Sequence, residues 1–408
     1  MVPCSAAMLI LGAGPAGLAC GIMSALCGEK AVVLEKNSQP GVKLRLAGSG
    51  QCNLTHGGPT VRFFEHYGDA KKSRFVKPAL SRHSNHDIVR WFTEVGVPLF
   101  EREDGKIFPC SLQSGDVLQA LIDQLETNGG LLRTNVKVHA VRQTENRFCV
   151  ETNQGDFTSD RLAIATGGMS YPQTGSTGDG YRWAAQLGHR IVLPRPALTP
   201  VIVDHYPFSE ASGLSFKNVP IDVYRHGKKV RQGSGDVLLT HRGLSGPGIL
   251  DLSRYLEPED ALRLPICPSI DAFKLELLFS GKKLLKNALA PLGIPDRFLQ
   301  LLFSELEIPS DTPAAEVDRE TRKRLKNAFE GFSFVVQRLG GFEEAMATCG
   351  GVALEEVNPR TMESRLVPGL FFCGEVLDID GDTGGYNIQF ALSSGFTAGG
   401  GLQCSLSP

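Results

Sequence analysis

The chain has 408 residues, of which 42% are hydrophobic and 21% charged. These are globular proportions, with enough apolar side chain for more than one core, and they exclude a disordered or fibrous chain. Forty-two Lys and Arg against 44 Asp and Glu leave a net charge of −2, so no global basic field exists to attract nucleic acid or anionic lipid, and a partner of either kind is not expected. The 10 cysteines are scattered, with no C-x-x-C pair. That sets aside a zinc ribbon or a thioredoxin-like site, leaves no metal site expected, and fits reduced, mostly buried thiols in the cytoplasm. Residues 1–28 carry no charged side chain. No Lys or Arg precedes this apolar run as a signal peptide requires, and Gly12, Gly14, Pro15, Gly17 and Gly21 interrupt it too densely for a bilayer span. A buried strand followed by a buried helix explains the same lack of charge.

In chain order, Met8–Leu11 is expected as a short buried strand, and a helix runs from Pro15 to Cys27 with Gly28 past its end. Ala31–Glu35 gives a second buried strand. Strand, tight turn, helix and strand within about 30 residues make a βαβ unit. Asn85 is expected to cap a helix in which Ile88, Val89, Phe92 and Val95 share a face. Asp104-Gly105 suits a turn between short strands, and Ser114 is expected to cap a further helix. Val136–Val141, Phe148–Glu151 and Leu162–Ala165 read as strands. Pro194, Pro196 and Pro200 place a boundary near 190–200 that sustains neither helix nor central strand. Residues 201–266 alternate in short runs, as a small β domain does. Apolar residues from Leu284 to Phe329 fall at helical spacing between prolines, which makes a small helical module. Residues 332–354 look extended, Gly369–Cys373 is a buried strand, and a last helix starts near Tyr386.

Gly12-Ala13-Gly14-Pro15-Ala16-Gly17 is G-x-G-x-x-G between strand and helix. Its glycines allow a tight turn, approach of the backbone to a pyrophosphate, and close helix–sheet packing, and the pyrophosphate rests on the helix N-terminus. Glu35 closes the second strand 23 residues after Gly12, where a carboxylate accepts hydrogen bonds from an adenosine ribose and disfavours a 2′-phosphate. Regular βα repeats do not follow. Instead a long glycine-bearing loop, Lys36 to Asn53, brings Lys36, Lys43 and Arg45 near the fingerprint and can wrap an extended dinucleotide. A strand ending in Ala165-Thr166-Gly167-Gly168 and the pair Gly374-Glu375 after a buried strand supply two further contacts. Three separated contacts favour FAD over NAD.

The motifs Pro40-Gly-Val-Lys-Leu44, Gly48-Ser-Gly-Gln-Cys-Asn-Leu-Thr55, Gly175-Ser-Thr-Gly-Asp-Gly180, Thr240-His-Arg-Gly-Leu-Ser-Gly-Pro247, Thr348-Cys-Gly-Gly-Val352 and Gly374-Glu-Val-Leu-Asp378, continuing into Gly384-Gly-Tyr-Asn-Ile-Gln389, resemble those of the BaiN/YhiN-like family of FAD-dependent oxidoreductases, also labelled aminoacetone-oxidase-like flavoproteins. The resemblance spans nearly the whole chain. It implies an α/β fold: a Rossmann-like FAD-binding domain, residues 1–192 and 355–408, interrupted by a β-barrel insert domain, 193–268 and 331–354, and a small helical domain, 269–330. It further implies that Ser49, Gly50, Gln51, Cys52 and Asn53 pack against the cofactor, that the Val136 backbone meets the adenine, and that Gly385, Tyr386, Asn387 and Ile388 lie at the isoalloxazine ring, with Asp382 in the same cofactor-binding set. Gln51 stands where the family usually has Arg or Lys, and His56 where Asn is common.

The expected activity is hydride transfer through FAD to or from a small organic substrate, with NADH or NADPH as a transient donor. No second G-x-G-x-x-G offers a nicotinamide domain. A helix starting after Gly384-Gly385 would aim its free N–H groups at charge developing on the flavin. The residues name no catalytic acid or base and leave a flavin-binding redox sensor or assembly factor as the alternative. Cys52 is expected to be a packed loop thiol, and Lys71, Lys72, Arg74 and Lys77 a solvated basic face.

Overall fold

The computed structural model describes residues 4–144, 147–266, 278–279 and 282–400. The start of the expected helical module, at 269–277 and 280–281, lies outside the described residues. The chain divides into two compact units, Met1–Ala197 with Ala345–Pro408, and Leu198–Glu344.

The first unit is a mixed sheet covered by helices. Its central strand β1 (Cys4–Leu11) lies parallel to β2 (Ala31–Leu34). β2 is buried along its whole length, as a continuous Ala-Val-Val-Leu run in a parallel sheet must be. A separate small sheet joins β3 (Thr55–His56), β4 (Leu99–Glu101) and β5 (Lys106–Pro109). The main sheet continues with β6 (Leu131–Arg133), parallel to β2, and with the antiparallel meander β7 (Val138–Thr144), β8 (Arg147–Thr152) and β9 (Gly155–Ile164). β9 returns parallel to β1, and the strand Leu370–Phe372 pairs parallel with β9 on its other side. The C-terminal stretch therefore completes the sheet that the N-terminus begins.

Helix α1 (Pro15–Leu26) is apolar on all sides because it is enclosed. One side faces the sheet and the other the helix Tyr386–Gly400. A side chain at Gly395 would come within 2.2 Å of the Ala16 carbonyl, and one at Gly399 within 2.2 Å of the Cys20 carbonyl. These glycines let the two helix backbones touch.

The structure departs from the sequence reading at several points. Ser84, rather than Asn85, caps the helix Asn85–Glu94: its hydroxyl accepts from Asp87 N–H while the Asp87 carboxylate accepts from Ser84 N–H. Asn85 instead turns inward and donates to the His56 and Gly58 carbonyls. Gln113 occupies the capping position assigned to Ser114. The proline-rich stretch, read as a boundary that sustains neither helix nor central strand, ends the N-terminal part of the first unit as a strand of a two-stranded sheet, β10 (Ile191–Ala197), antiparallel to Ala347–Val352. Proline is tolerated there because the sheet has only two strands, and the register breaks between Val192 and Arg195. This pairing puts residues 193–197 and 345–354 in the first unit rather than with the barrel. Cys20, Cys52, Cys110, Cys149, Cys349 and Cys373 are free thiols, whereas Cys27 is disulfide-bonded.

The second unit contains a closed antiparallel barrel. Its strands are β11 (Val201–Val203), β12 (Ser215–Arg225), β13 (Lys228–Leu239), β14 (Gly243–Ser245), β15 (Ala261–Leu264) and β16 (Phe332–Leu339). β11 pairs with both β14 and β16, which closes the barrel and removes its edges. Helices Asp296–Glu305 and Arg319–Gly331 add Phe298, Leu302, Leu325 and Phe329 to the core that Val201, Ile221, Val237 and Phe334 begin. Among the described residues, no helix is long and apolar enough to cross a membrane.

His83 carries a pH dependence. Its carbonyl accepts from Gln389 and Ser393, and its ring lies 5.6 Å from that of Phe396. Both ring nitrogens are buried without a hydrogen-bond partner among the described residues. Burial pushes the imidazole down to about 4, Arg82 acts the same way, and Asp87 opposes. An unfolded histidine titrates near ~6.5, so below that pH the unfolded chain binds a proton that the fold refuses down to about 4. Stability is full above ~6.5 and falls as the pH drops, by at most about 3 kcal/mol. Thermal melts at pH 7 and pH 4.5 should differ less in His83→Phe than in the parent chain, and an unchanged difference would remove this assignment.

Candidate functional site

The turn after β1 is built from backbone packed on backbone. Gly12 N–H donates to the Leu34 carbonyl (2.8 Å), and its φ of +103° excludes an ordinary side chain. A Cβ at Gly12 would meet the Ala165 carbonyl at 2.6 Å, and one at Gly17 would meet the Gly12 carbonyl at 1.9 Å. Gly14 differs: a Cβ there would project into open space. Gly14 caps α1 without a side-chain hydrogen bond, Pro15 opens the helix, and no acidic residue stands in its first turn. The positive end of α1 is therefore bare at the place where the backbone is bare. That is the donor arrangement a dinucleotide pyrophosphate takes, and it fits FAD at this turn.

Glu35 is 8% exposed. Its carboxylate accepts from Ala13 N–H (3.0 Å) and Asn37 N–H (2.9 Å), and its carbonyl accepts from Val136 N–H (2.8 Å). The acid is thereby tied to the glycine turn, with the second lone pair of each oxygen available to a ribose. Lys36 turns away from this point, donating to Thr177 (2.6 Å) and Asp179 (2.7 Å).

The loop from Lys43 to Asn53 reaches the other end of the chain. Lys43 donates to Glu375 Oε2 (2.7 Å), whose Oε1 accepts from Thr348 N–H (2.8 Å). Both Glu375 oxygens thus accept from protein donors. Gly374 sits against the Ala16 Cβ, and its N–H donates to Ser394. Gly48, Ser49, Gly50 and Cys52 all take positive φ, which folds the loop onto itself through bonds to the Ala47 and Gly48 carbonyls. The Cys52 thiol is fully buried and pushed up to about 12 by that burial, the property of a packed thiol and not of a nucleophile. Gln51 accepts from Arg102 (2.6 Å), whose guanidinium lies 3.8 Å from the Phe108 ring centre. Arg102 returns to this loop the positive charge that Gln51 withholds. It comes from the β4–β5 turn, half a hundred residues on, so local sequence carried no signal for it.

Ala165 N–H donates to the Leu11 carbonyl, and Gly167 follows with φ +70°. Thr166 Oγ1 is buried with no partner among the described residues. At the far end, Gly385 has φ +100°, and a Cβ there would strike the Thr55 backbone at 2.6 Å. Asn53, with its amide oxygen turned to Gly385, accepts from Gly385 N–H (3.2 Å) and donates to the Thr55 carbonyl (3.0 Å). The side chains of the residues expected at the ring system make contacts within the protein. The Tyr386 ring stacks on His66, the Asn387 amide bonds Gly381 N–H and its carbonyl, and Asp382 pairs with His66. Ile388 is half-buried against the core.

Lys72, read as part of a solvated face, is buried. Its amine lies 2.5 Å from Asp380, 3.0 Å from Asp378 and 3.6 Å from the Cys349 sulfur. Burial works against its charge, but Asp380, Cys349 and Asp378 outweigh it and hold the amine above the ordinary lysine range. Cys349, Asp378 and Asp380 are close enough to share a cation, and the ammonium of Lys72 is that cation.

Two substitutions separate packing from ligand contact. Gly17→Ala should lower the melting temperature of the FAD-free protein by the equivalent of ~1–3 kcal/mol, whereas Gly14→Ala should leave it unchanged and weaken FAD uptake. Equal melting of both variants would overturn this division. Glu35→Ala removes the acceptor for two backbone donors and for the ribose, each charged hydrogen bond being worth roughly 1.5–3 kcal/mol. It should release FAD during purification, and full occupancy would end the ribose role.

The chain matches the family described as HI0933-like protein Rossmann domain over residues 6–401. It is 30% identical over 395 residues to the ribosomal RNA dihydrouridine synthase of Escherichia coli K12, covering 95% of each chain. It is 31% identical over 400 residues to the protein of that name from Haemophilus influenzae, covering 95% of this chain and 96% of the other. A 3-dehydro-bile acid delta(4,6)-reductase from Clostridium scindens is 28% identical over 407 residues, covering 96% and 97%. Among solved structures, the FrdA subunit of E. coli quinol fumarate reductase superposes with a TM-score of 0.52 at 14% identity, over 98% of this chain and 70% of that one, which is a likeness of fold. With its Rossmann turn, its barrel and a family match along almost its whole length, the chain belongs to the HI0933-like family of BaiN/YhiN-like flavoproteins.

Proposed function

We propose that the protein is an FAD-dependent reductase that draws electrons from NADH or NADPH and delivers them to a carbon–carbon double bond conjugated with a carbonyl group, and that this double bond belongs to a uracil base in RNA. One observation carries the reading. Segments far apart in sequence meet inside one compact unit: Gly12 on Ala165, Gly374 on Ala16, Lys43 on Glu375, and Gly385 on Thr55. An extended dinucleotide needs contacts along its length, and this convergence supports them. The α1 turn would hold the pyrophosphate and Glu35 the adenosine ribose. The backbone at Gly385 and Tyr386 would meet the ring system, with the helix N-terminus favouring negative charge there. Bound FAD supplies the hydride chemistry, and the chain supplies orientation and field.

The relatives favour the acceptor. Making dihydrouridine and reducing a bile-acid 4,6-diene are one reaction in outline, since each adds a hydride to a carbon conjugated with a carbonyl and then a proton to its neighbour. Two of the relatives reported above are named for ribosomal RNA. A local charge also supports RNA. Between residues 60 and 82, Arg62, Arg74 and Lys77 are exposed, as is Lys71, which pairs with Glu355, while Lys72 is taken up by Asp378 and Asp380. A chain-wide charge of −2 conceals this strip. The small-molecule substrate expected from the sequence remains the second reading, favoured by the bile-acid reductase relative.

Anaerobic mixing tests both. NADH or NADPH should bleach the flavin band, and an unmodified ribosomal RNA transcript should restore it while gaining dihydrouridine. Restoration by a 3-oxo-4,6-diene steroid, and not by RNA, would move the substrate to the second reading. Failure of both donors and both acceptors would leave the redox sensor.

A further inference from the structure

His66 is held in a way that no other described histidine of the first unit is. Its Nδ1 lies 2.9 Å from Asp382 Oδ2, and its carbonyl accepts from Asp382 N–H at 2.9 Å. Its ring stacks on Tyr386, 4.0 Å between centres and 14° between planes. Among the described residues Nε2 has no hydrogen-bond partner, and the side chain is 37% exposed. One edge of the imidazole is therefore fixed by a carboxylate and the other is open. Asp382 stands two residues before the Gly384-Gly385 pair, in a loop that Asn387 braces through Gly381.

The neighbouring imidazoles are engaged or hidden. His56 Nδ1 lies 3.0 Å from the Gly57 carbonyl and its Nε2 3.1 Å from the Asp104 carbonyl. His189 is bound at both nitrogens, by the Ala184 carbonyl and Ser364. The His83 ring is sealed in the core.

We propose that His66 donates the proton of the reduction and that Asp382 is its positioning residue; this rests on the conjugated-acceptor reading above. When a hydride reaches the β-carbon, the π electron pair moves onto the carbonyl oxygen. That pair then forms the new C–H bond at the α-carbon as the Nε2–H bond of His66 breaks. The ring regains its proton from solvent through its open edge. NADH or NADPH supplies the hydride by way of FAD, so the sum is one double bond, one hydride and one proton giving one saturated bond. Asp382 holds a proton on Nδ1 and faces the charge of the doubly protonated ring, the arrangement of a carboxylate-oriented histidine acid.

The test uses holoenzyme photoreduced under nitrogen and mixed with the ribosomal RNA transcript, or with the 3-oxo-4,6-diene steroid if that is the acceptor the parent protein reduces. In His66→Gln, FAD content and bleaching by NADPH should stay within about threefold, while reoxidation slows by ~10²–10⁴-fold. Added imidazole should restore part of the rate to His66→Gly. A structural histidine would instead lose FAD and slow both half-reactions alike, and reoxidation of His66→Gln within threefold of the parent rate would overturn the role. Nitrogen-15 spectra of the FAD-free protein give a second readout: the Nδ1 proton resonance of His66 should shift in Asp382→Asn, and an unmoved resonance would dissolve the pair. If no acceptor reoxidises the parent protein, the donor role falls together with the reaction. A shifted Nδ1 resonance then marks the reaction, and not the pair, as the part that failed.

Discussion

Around α1 the fold depends on missing side chains. The carbonyl of Gly12 lies where a Cβ on Gly17 would be, the carbonyl of Ala165 where one on Gly12 would be, and the carbonyls of Ala16 and Cys20 where Gly395 and Gly399 would carry theirs. Interiors pack to the density of crystals, so contacts this close are possible only with hydrogen in place of carbon. They fix the depth at which α1 sits between the sheet and the C-terminal helix. That depth sets the direction of the helix N-terminus and the distance between the glycine turn and the Gly374-Glu375 segment.

Charges inside the first unit do a complementary job. Lys43 ties Glu375 to the early loop, Thr348 N–H takes the other carboxylate oxygen, and Lys72 draws Asp378 and Asp380 onto the helix Ala70–Arg82. Lys72 and Asp380 are buried, and removing one partner would leave a bare charge in a poor solvent. Together these pairs tie down the segment 374–382, whose backbone has little regular structure. The same segment carries the acid that holds His66. An apolar core alone would not distinguish this arrangement from neighbouring ones.

A shared scaffold does not dictate an acceptor. Relatives of nearly equal similarity are named for a base in ribosomal RNA and for a bile acid, and function lives in sites grafted onto folds. What is common to those acceptors is electronic, a double bond polarised by a carbonyl. What differs is size and charge, which a surface outside the site would have to read. The site and the surface can therefore change independently.

The sequence by itself determined the βα turn, the acid closing β2 and a β-rich segment in the middle of the chain. Each is written in a local pattern: glycine spacing, continuous apolar runs, or alternation between turns. The same patterns marked Gly12, Gly14, Gly17 and Glu35, whereas the barrel, the return of the C-terminal segment to the N-terminal sheet and Gly385 followed from the family resemblance. Only the tertiary structure decided which polar side chains meet. Tyr386 stacks on His66, Asn387 braces its own loop, Lys72 is buried against two aspartates, Arg102 replaces the charge absent at Gln51, and His66 finds Asp382 across more than three hundred residues. For the strand Ile191–Ala197, the prolines excluded a central position, and only the tertiary structure supplied the two-stranded setting that permits a strand there. Backbone geometry repeats with a period that a single segment displays. A hydrogen bond between distant side chains has no period and exists only after the chain has closed on itself.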